Sequence, residues 1–185
     1  ASDINCALWN STGLDLNELS KIRKLEGGLS RYTKQIEKRF GPDKLDWLLE
    51  GPCDILVPAA RPDAITSKNI DRIDCRVILQ GANTPSSQAV EYYLYHRRHI
   101  LSLTDFIVNA GGVIGCAVEL NLMKDDLYAS KIESKGVRAY TEQLVSDTVS
   151  KNVQEIYQRI SGDTIFRDAA TDLAYERLKN QEIWL

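Results

Sequence analysis

Cys53-Asp54-Ile55-Leu56-Val57-Pro58-Ala59-Ala60 is a short apolar run that stops at a proline and two small residues. Its part from Cys53 to Val57, this short and bounded by a helix breaker, reads as a strand buried in a parallel sheet. Two further runs repeat the pattern downstream. Arg76 to Leu79 is followed by Gly81-Ala82-Asn83, and His99 to Leu103 by Thr104-Asp105. Ile107 and Val108 read as a fourth, very short extended piece. Helical spacing fills the gaps. Asp15 to Leu25 is one candidate helix; Leu29 to Phe40 is another, with Leu29, Tyr32, Ile36 and Phe40 three to four residues apart; Pro85 to Arg98 is the third. Thr66 suits the N-cap of a short helix through Ile70, and Pro85 a first helical turn. Strand and helix alternating in this way predict an α/β fold, a parallel sheet flanked by helices.

From Gly112 onward the extended segments vanish. Long helical patterns run through Val137 to Ile160 and Asp163 to Lys179, broken at Ser161-Gly162, so a C-terminal helical tail is expected. There is no internal repeat or low-complexity tract.

At 185 residues, 43% of them hydrophobic and 26% charged, the chain is sized for one medium domain with a single core. A formal net charge of -3 leaves no basic surplus to neutralise phosphates, which argues against nucleic acid as a partner. No run approaches the ~20 apolar residues of a membrane span. Ala1-Ser2-Asp3 carries no secretory pattern, so a cytoplasmic place without a membrane partner is expected. Cys6, Cys53, Cys75 and Cys116 lack the paired spacing of a metal site or redox motif, and reduced, buried thiols are expected of them. His96 and His99 lie in the basic stretch His96-Arg97-Arg98-His99 at a helix end. Cations there favour the helix dipole, a more economical role than catalysis.

In open parallel sheets ligands sit at the carboxyl ends of strands. Three segments there stand out. After Val57, Pro58-Ala59-Ala60 lets a flat ring approach the backbone, or simply makes a tight strand-to-helix corner. In Gln80-Gly81-Ala82-Asn83-Thr84-Pro85, Asn83 can donate to and accept from a ribose hydroxyl or an amide, or serve only as a turn residue capping the next helix. In Asp105-Phe106-Ile107-Val108-Asn109-Ala110-Gly111-Gly112-Val113-Ile114-Gly115, an Asn and paired glycines open a long helix. They offer exposed amides to a polar ligand, or a flexible connector.

Taken together, the three segments resemble the glutamate/leucine/phenylalanine/valine dehydrogenases, whose cofactor domain carries a CDILVPAA strand, a GAN turn and a DFIVNAGGV hinge in this order. The likeness extends to Trp9-Asn10 and Gly13-Leu14-Asp15 near the start and to Ala169-Ala170, Leu173-Ala174 and Glu176-Arg177 near the end. Thr104 stands where proline is usual, and Ser86-Ser87 replaces a threonine-rich turn. The resemblance implies a Rossmann-like sheet, N-terminally truncated. It would form a partial dinucleotide-binding domain over residues 1–122, with a helical tail over 123–185 packing on it.

Enzymes of this family deaminate an L-amino acid to a 2-oxo acid with NAD or NADP. The resemblance implies such a parent here, glutamate being the expected substrate. It also implies that Asn83 and Asn109 hold the nicotinamide ribose and carboxamide, that Pro58, Ala59 and Ala60 line the cofactor channel, and that Gly111 and Gly112 begin the hinge helix. Cys116, four places after the second glycine, would help select the substrate side chain, with Ile114 a second pocket wall; core packing is the equal alternative for both. Asp3 stands where the family's second strand ends, and an acid there accepts from the adenosine ribose, favouring NAD over NADP.

No G-x-G-x-x-G is present to seat a pyrophosphate, and the family's catalytic lysine and aspartate lie on a substrate domain outside this sequence. The expectation is an enzyme fragment, inactive alone, whose exposed sheet edges favour association with another copy as a homo-oligomer. Two other readings stand beside it: a noncatalytic nucleotide-binding or assembly module of the same fold, and a dehydrogenase acting on hydroxy acids. General nucleotide-fold physics does not demand the PAA, GAN and NAGG set, which weighs against the last.

Overall fold

The computed structural model describes residues 1–125, 128, 130, 132 and 136–180. The chain divides into two compact units, residues 1–53 with 68–74, and residues 54–67 with 75–185.

In the first unit, β1 (Ala7–Trp9) pairs antiparallel with β2 (Lys38–Phe40), placing Ala7 opposite Phe40 and Trp9 opposite Lys38. Helix α1 (Leu16–Ile22) starts at Asp15, whose carboxylate accepts the Glu18 amide and so satisfies one orphan donor of the first turn. Cys6, Leu8, Ile22, Leu29 and Tyr32 form the core, with Leu14, Leu19 and Ile36 against it. The expected helix from Leu29 to Phe40 is absent. Gly28–Arg31 makes one 3-10 turn, which already places Leu29 and Tyr32 on one side, and Arg39 then donates to the Ser30 and Tyr32 carbonyls. Those carbonyls are the acceptors a continuing helix would have used. Helix α2 (Trp47–Glu50) is a single turn. The short helix expected from Thr66 is also displaced: the turn that forms is 3-10, over Ile70–Arg72, and Arg72 is held by both Glu50 carboxylate oxygens at 2.8 and 2.6 Å and by the Lys68 carbonyl.

Tyr32 is 1% exposed, and its hydroxyl accepts the Asp15 amide at 2.8 Å. Replacing it with Phe keeps the packing and removes one hydrogen bond. Tyr32→Phe is therefore expected to cost about 1 kcal/mol in urea unfolding, and no change at all would mean that solvent replaces the bond.

The second unit holds a parallel sheet of β3 (Ile55–Leu56), β4 (Val77–Leu79) and β5 (Leu101–Leu103), in that order, with Ile55 opposite Val77 and Val77 opposite Leu101. These are the three main strands expected from the sequence, each shorter at its start and β3 also one residue shorter at its end. Helix α3 (Gln88–Arg98) follows β4. Its cap is Ser87, two residues beyond Pro85, and it closes on His99 in the left-handed region at φ 55. Ile107 and Val108 are not extended: they belong to α4 (Asp105–Val108), one helical turn that opens after Thr104. Two apolar residues are too few to carry a period, and the acid at the first helical position decides the outcome.

Helices α5 (Gly111–Lys124), α6 (Val137–Tyr157) and α7 (Phe166–Lys179) complete the unit, with Gly162 at φ 56 separating the last two. Leu103, Ile156, Phe166, Ala169, Ala170 and Leu173 form the core, with Val77, Leu79 and Leu101 of the sheet packed on it. The molecule is thus α/β, a three-stranded parallel sheet flanked by helices. Burial divides the four cysteines against expectation: Cys6 is buried, Cys75 half-buried, and Cys53 and Cys116 exposed. Among the described residues no helix is long and apolar enough to cross a membrane.

Candidate functional site

The carboxyl ends of β3, β4 and β5 lie side by side, because parallel neighbours run in register. The turn after each strand therefore lands beside the others. Buried Pro58 closes the corner after β3, and its carbonyl accepts the Ala82 amide at 2.9 Å, tying the first corner to the second. Ala59 and Ala60 remain exposed beyond it. Gly81 lies so close that a Cβ there would come within 3.0 Å of the Ala59 Cβ. The small residues of both turns thus serve the contact between the turns and leave a low, open rim.

On that rim the Asn109 carboxamide donates to the Asn83 oxygen at 3.0 Å, and both residues are exposed. The bond spends one N–H of Asn109 and one acceptor of Asn83. It leaves the Asn83 amino group and the Asn109 oxygen to meet a polar partner. Asn83 precedes Thr84, a β-branched residue in the left-handed region at φ 47.

Behind the rim is a polar core. Gln80, just after β4, is fully buried, and its amino group lies within hydrogen-bond reach of Glu91 at 2.6 Å, Ser102 at 2.9 Å and Ser86 at 3.0 Å. Glu91 is 2% exposed, and Arg167 of α7 grips it from Nε at 2.8 Å and Nη2 at 2.7 Å. The same Nη2 reaches Asp105 at 3.4 Å. Asp105 accepts the Thr84 amide at 2.8 Å. Burial pushes the Asp105 carboxyl up, but the Thr84 and Phe106 amides, the Thr104 hydroxyl and the Arg167 charge outweigh it and hold the group below the usual aspartate range. A lowered folded value means this stabilisation is complete above the unfolded value and drains away as pH falls through the folded one, so the link weakens only in strong acid.

Gly111 and Gly112 open α5 directly after Asn109 and Ala110, and no side chain caps this helix start. An added Cβ on Gly111 would rest 3.6 Å from Val145 of α6, while Gly112 faces open space. Cys116 and Ile114 are two positions apart, roughly 200° around a helix, and so diverge. Cys116 is exposed, whereas Ile114 is half-buried and lines a cavity of about 600 Å³ with Val118, Leu144, Tyr140 and Arg177. Tyr128 also borders this cavity, and its hydroxyl is pushed up to about 12 by its hydrogen bond with Tyr140.

Asp3 belongs to the other unit. Its carboxylate accepts the amides of Asn5 at 2.8 Å, Cys6 at 3.0 Å and Leu29 at 2.7 Å. Burial raises this carboxyl, and those three bonds more than offset it, leaving it lowered. Its oxygens serve the local fold: Oδ1 takes the Asn5 and Cys6 amides and Oδ2 the Leu29 amide.

Sequence reasoning left Glu91, Arg167 and the role of Gln80 unnoticed. Glu91 and Arg167 stand 76 residues apart, and each lies on a helix among other charged residues. Nothing local distinguishes them from a solvated face.

A parallel sheet flanked by helices, with the turns after its strands gathered at one rim, defines an α/β unit. The family model for Glutamate/Leucine/Phenylalanine/Valine dehydrogenase matches residues 1–183, and the chain belongs to that family. It is 32% identical to the glutamate dehydrogenase of Aeropyrum pernix over 183 residues, 32% identical to that of Thermotoga maritima over 177, and 31% identical to the catabolic NAD-specific glutamate dehydrogenase of Bacillus subtilis over 177. These alignments cover 96% of this chain but 40%, 40% and 36% of the relatives. The chain thus spans about two fifths of their length. Among solved structures, the hetero-hexameric glutamate dehydrogenase of Thermus thermophilus in its leucine-bound form superposes with a TM-score of 0.61 at 19% identity, over 96% of this chain and 40% of that one. That likeness bears on the fold.

Proposed function

We propose that this chain is the cofactor-binding part of a dehydrogenase that oxidatively deaminates an L-amino acid, glutamate first among the candidates, with NAD or NADP. The observation that carries the reading is the Asn83–Asn109 pair, two exposed carboxamides joined at 3.0 Å on the carboxyl rim of the parallel sheet. Their remaining donors and acceptor match a nicotinamide amide and its ribose hydroxyls. The low Pro58-Ala59-Ala60 corner beside them lets a planar ring lie against the backbone. The residues present therefore fit the group.

When bound, the nicotinamide would exchange a hydride with the substrate α-carbon. This chain's own part is to orient the ring through Asn83 and Asn109, and to carry the α5 start at Gly111 and Gly112 to the edge of the reaction space. Exposed Cys116 on α5 is the position that would meet the substrate side chain, with Ile114 set apart in the neighbouring cavity. Asp3 would take the adenosine ribose and favour NAD. Both cofactor types occur among the relatives, which include an NADP-specific enzyme of Saccharolobus shibatae as well as the NAD-specific one of Bacillus subtilis. A cytoplasmic location and assembly into homo-oligomers belong to the same reading. The exposed Ile55 and Val57, at and just beyond the edge strand β3, are the apolar surface such assembly would cover.

The test is an NADH titration followed by nicotinamide fluorescence. The chain is expected to bind at roughly millimolar strength, and Asn83→Leu and Asn109→Leu are each expected to abolish the signal while leaving circular dichroism unchanged. Binding that survives both substitutions would place the nicotinamide elsewhere.

A further inference from the structure

The orientation of Asn83 depends on its neighbour. Thr84 holds φ 47, a conformation that costs a residue with a Cβ roughly 1–2 kcal/mol. Two bonds keep it there: its carbonyl accepts the Asp63 amide at 3.1 Å, and its own amide donates to Asp105 at 2.8 Å. Asp105 also governs the other half of the pair, since its carbonyl accepts the Asn109 amide at 2.8 Å. One residue therefore touches both arms of the carboxamide pair.

What fixes Asp105 comes from far along the chain. Its amide donates to the Gln80 oxygen at 3.1 Å, and Arg167 Nη2 lies 3.4 Å from both that oxygen and the Asp105 carboxylate. Arg167 cannot swing away cheaply, because the almost fully buried Glu91 takes two bonds from its planar fork and Phe106 lies 5.5 Å below its guanidinium. Glu91, Gln80 and Arg167 form a frame, and Asp105 is the part of it that reaches the rim.

We propose that Arg167 is a positioning residue for the Asn83–Asn109 pair: from the first turn of α7 it holds the Asp105 carboxylate on the Thr84 amide and so keeps the turn after Asn83 left-handed. The proposal rests on the reading of that pair as the nicotinamide contact, and it deepens that reading by making the last helix part of the site. Arg167 would act on the pair through Asp105.

The experiment uses the whole chain, isotopically labelled, as wild type, Arg167→Lys, Thr84→Gly and the double variant. Lys keeps the cation beside Glu91 but has no planar fork to span Glu91 and Asp105 together. Two readouts are taken: the resonances of the Thr84 amide and the Asn83 and Asn109 carboxamides without ligand, and NADH affinity. Arg167→Lys is expected to move those three resonances and to weaken NADH about tenfold, since misplaced contacts lose binding steeply. Glycine adopts positive φ without penalty, so Thr84→Gly added to Arg167→Lys is expected to bring the Asn83 and Asn109 carboxamide resonances and the NADH affinity back toward wild type. A general structural role for Arg167 would give no such rescue. Unmoved resonances in Arg167→Lys, or a loss that glycine at 84 does not repair, would overturn the proposal. If wild type fails to bind NADH the cofactor reading falls, while the ligand-free resonances still decide the role of Arg167. If Lys at 167 does not fold, Asp105→Asn breaks the same link at its rim end and is judged by the same resonances and the same rescue.

Discussion

Arg167→Met is expected to destabilise the chain by about 3–5 kcal/mol, a large part of a typical domain's stability. The reason is the carboxylate it strands. Glu91 is 2% exposed and takes bonds from Arg167 at 2.8 and 2.7 Å; without them the carboxyl is left in a site closed to water, with the Gln80 amide at 2.6 Å and the Ser86 hydroxyl at 3.2 Å beside it. A surface pair such as Arg138–Glu142, whose side chains are 91% and 66% exposed, loses nothing comparable, because water takes over both partners. The explanation has a sharp consequence. If the cost comes from the unpaired charge rather than from lost packing, removing the charge as well must recover most of it. Arg167→Met with Glu91→Leu is therefore expected to lie within about 1–2 kcal/mol of wild type, since apolar replacement of a buried ion pair is often near neutral. Urea unfolding of the four proteins in a double-mutant cycle measures this directly. Additive losses would mean that the two side chains act separately and that the frame described above does not exist. Lysine at 167 keeps a cation beside Glu91, which makes it the milder probe of position rather than of stability.

What the sequence made legible follows from which interactions are local. Strands β3, β4 and β5 were readable because each is an apolar run ended by a breaker or a turn, and a buried parallel strand needs little else. The placing of the rim residues was readable because the turns after neighbouring parallel strands gather at one edge of the sheet. The antiparallel pair β1 and β2 escaped notice: three residues each are too few to establish a period of two, and Leu29, Tyr32, Ile36 and Phe40 offered a helical spacing in its place. That spacing was real, but a single 3-10 turn served Leu29 and Tyr32, and Arg39 took the carbonyls a helix would have needed. Thr84 gave no warning of its left-handed backbone, because threonine is not a residue that advertises one. The pairing of Glu91 with Arg167 joins helices 76 residues apart and becomes visible only once the sheet has folded between them. Cys116 and Ile114, read as two walls of one pocket, diverge for a simpler reason: positions two apart on a helix face nearly opposite ways.

Gly81→Val is expected to cost about 1–3 kcal/mol through overpacking and to abolish NADH binding at the rim. Gly81 is not among the glycines with positive φ, so the backbone tolerates a side chain there and the effect is steric alone. A single Cβ would already sit 3.0 Å from the Ala59 Cβ and 3.3 Å from Val57 Cγ1, and valine adds two methyl groups to that contact. Relief requires the corner after β3 to retreat. The Ala82 amide, bonded at 2.9 Å to the Pro58 carbonyl, resists that movement because it ties the two corners together one residue further on. Retreat would break this bond and shift Ala59 and Ala60 away from the Asn83–Asn109 pair, spoiling the proposed ring site and the packing together. Gly81→Ala separates the two effects: its one methyl group meets chiefly Ala59, so pairing it with Ala59→Gly should restore both stability and NADH affinity to near those of wild type. If Gly81→Val instead leaves binding intact while lowering stability, the nicotinamide does not depend on this corner, and Pro58, Ala59 and Ala60 must be given up as lining of the cofactor site.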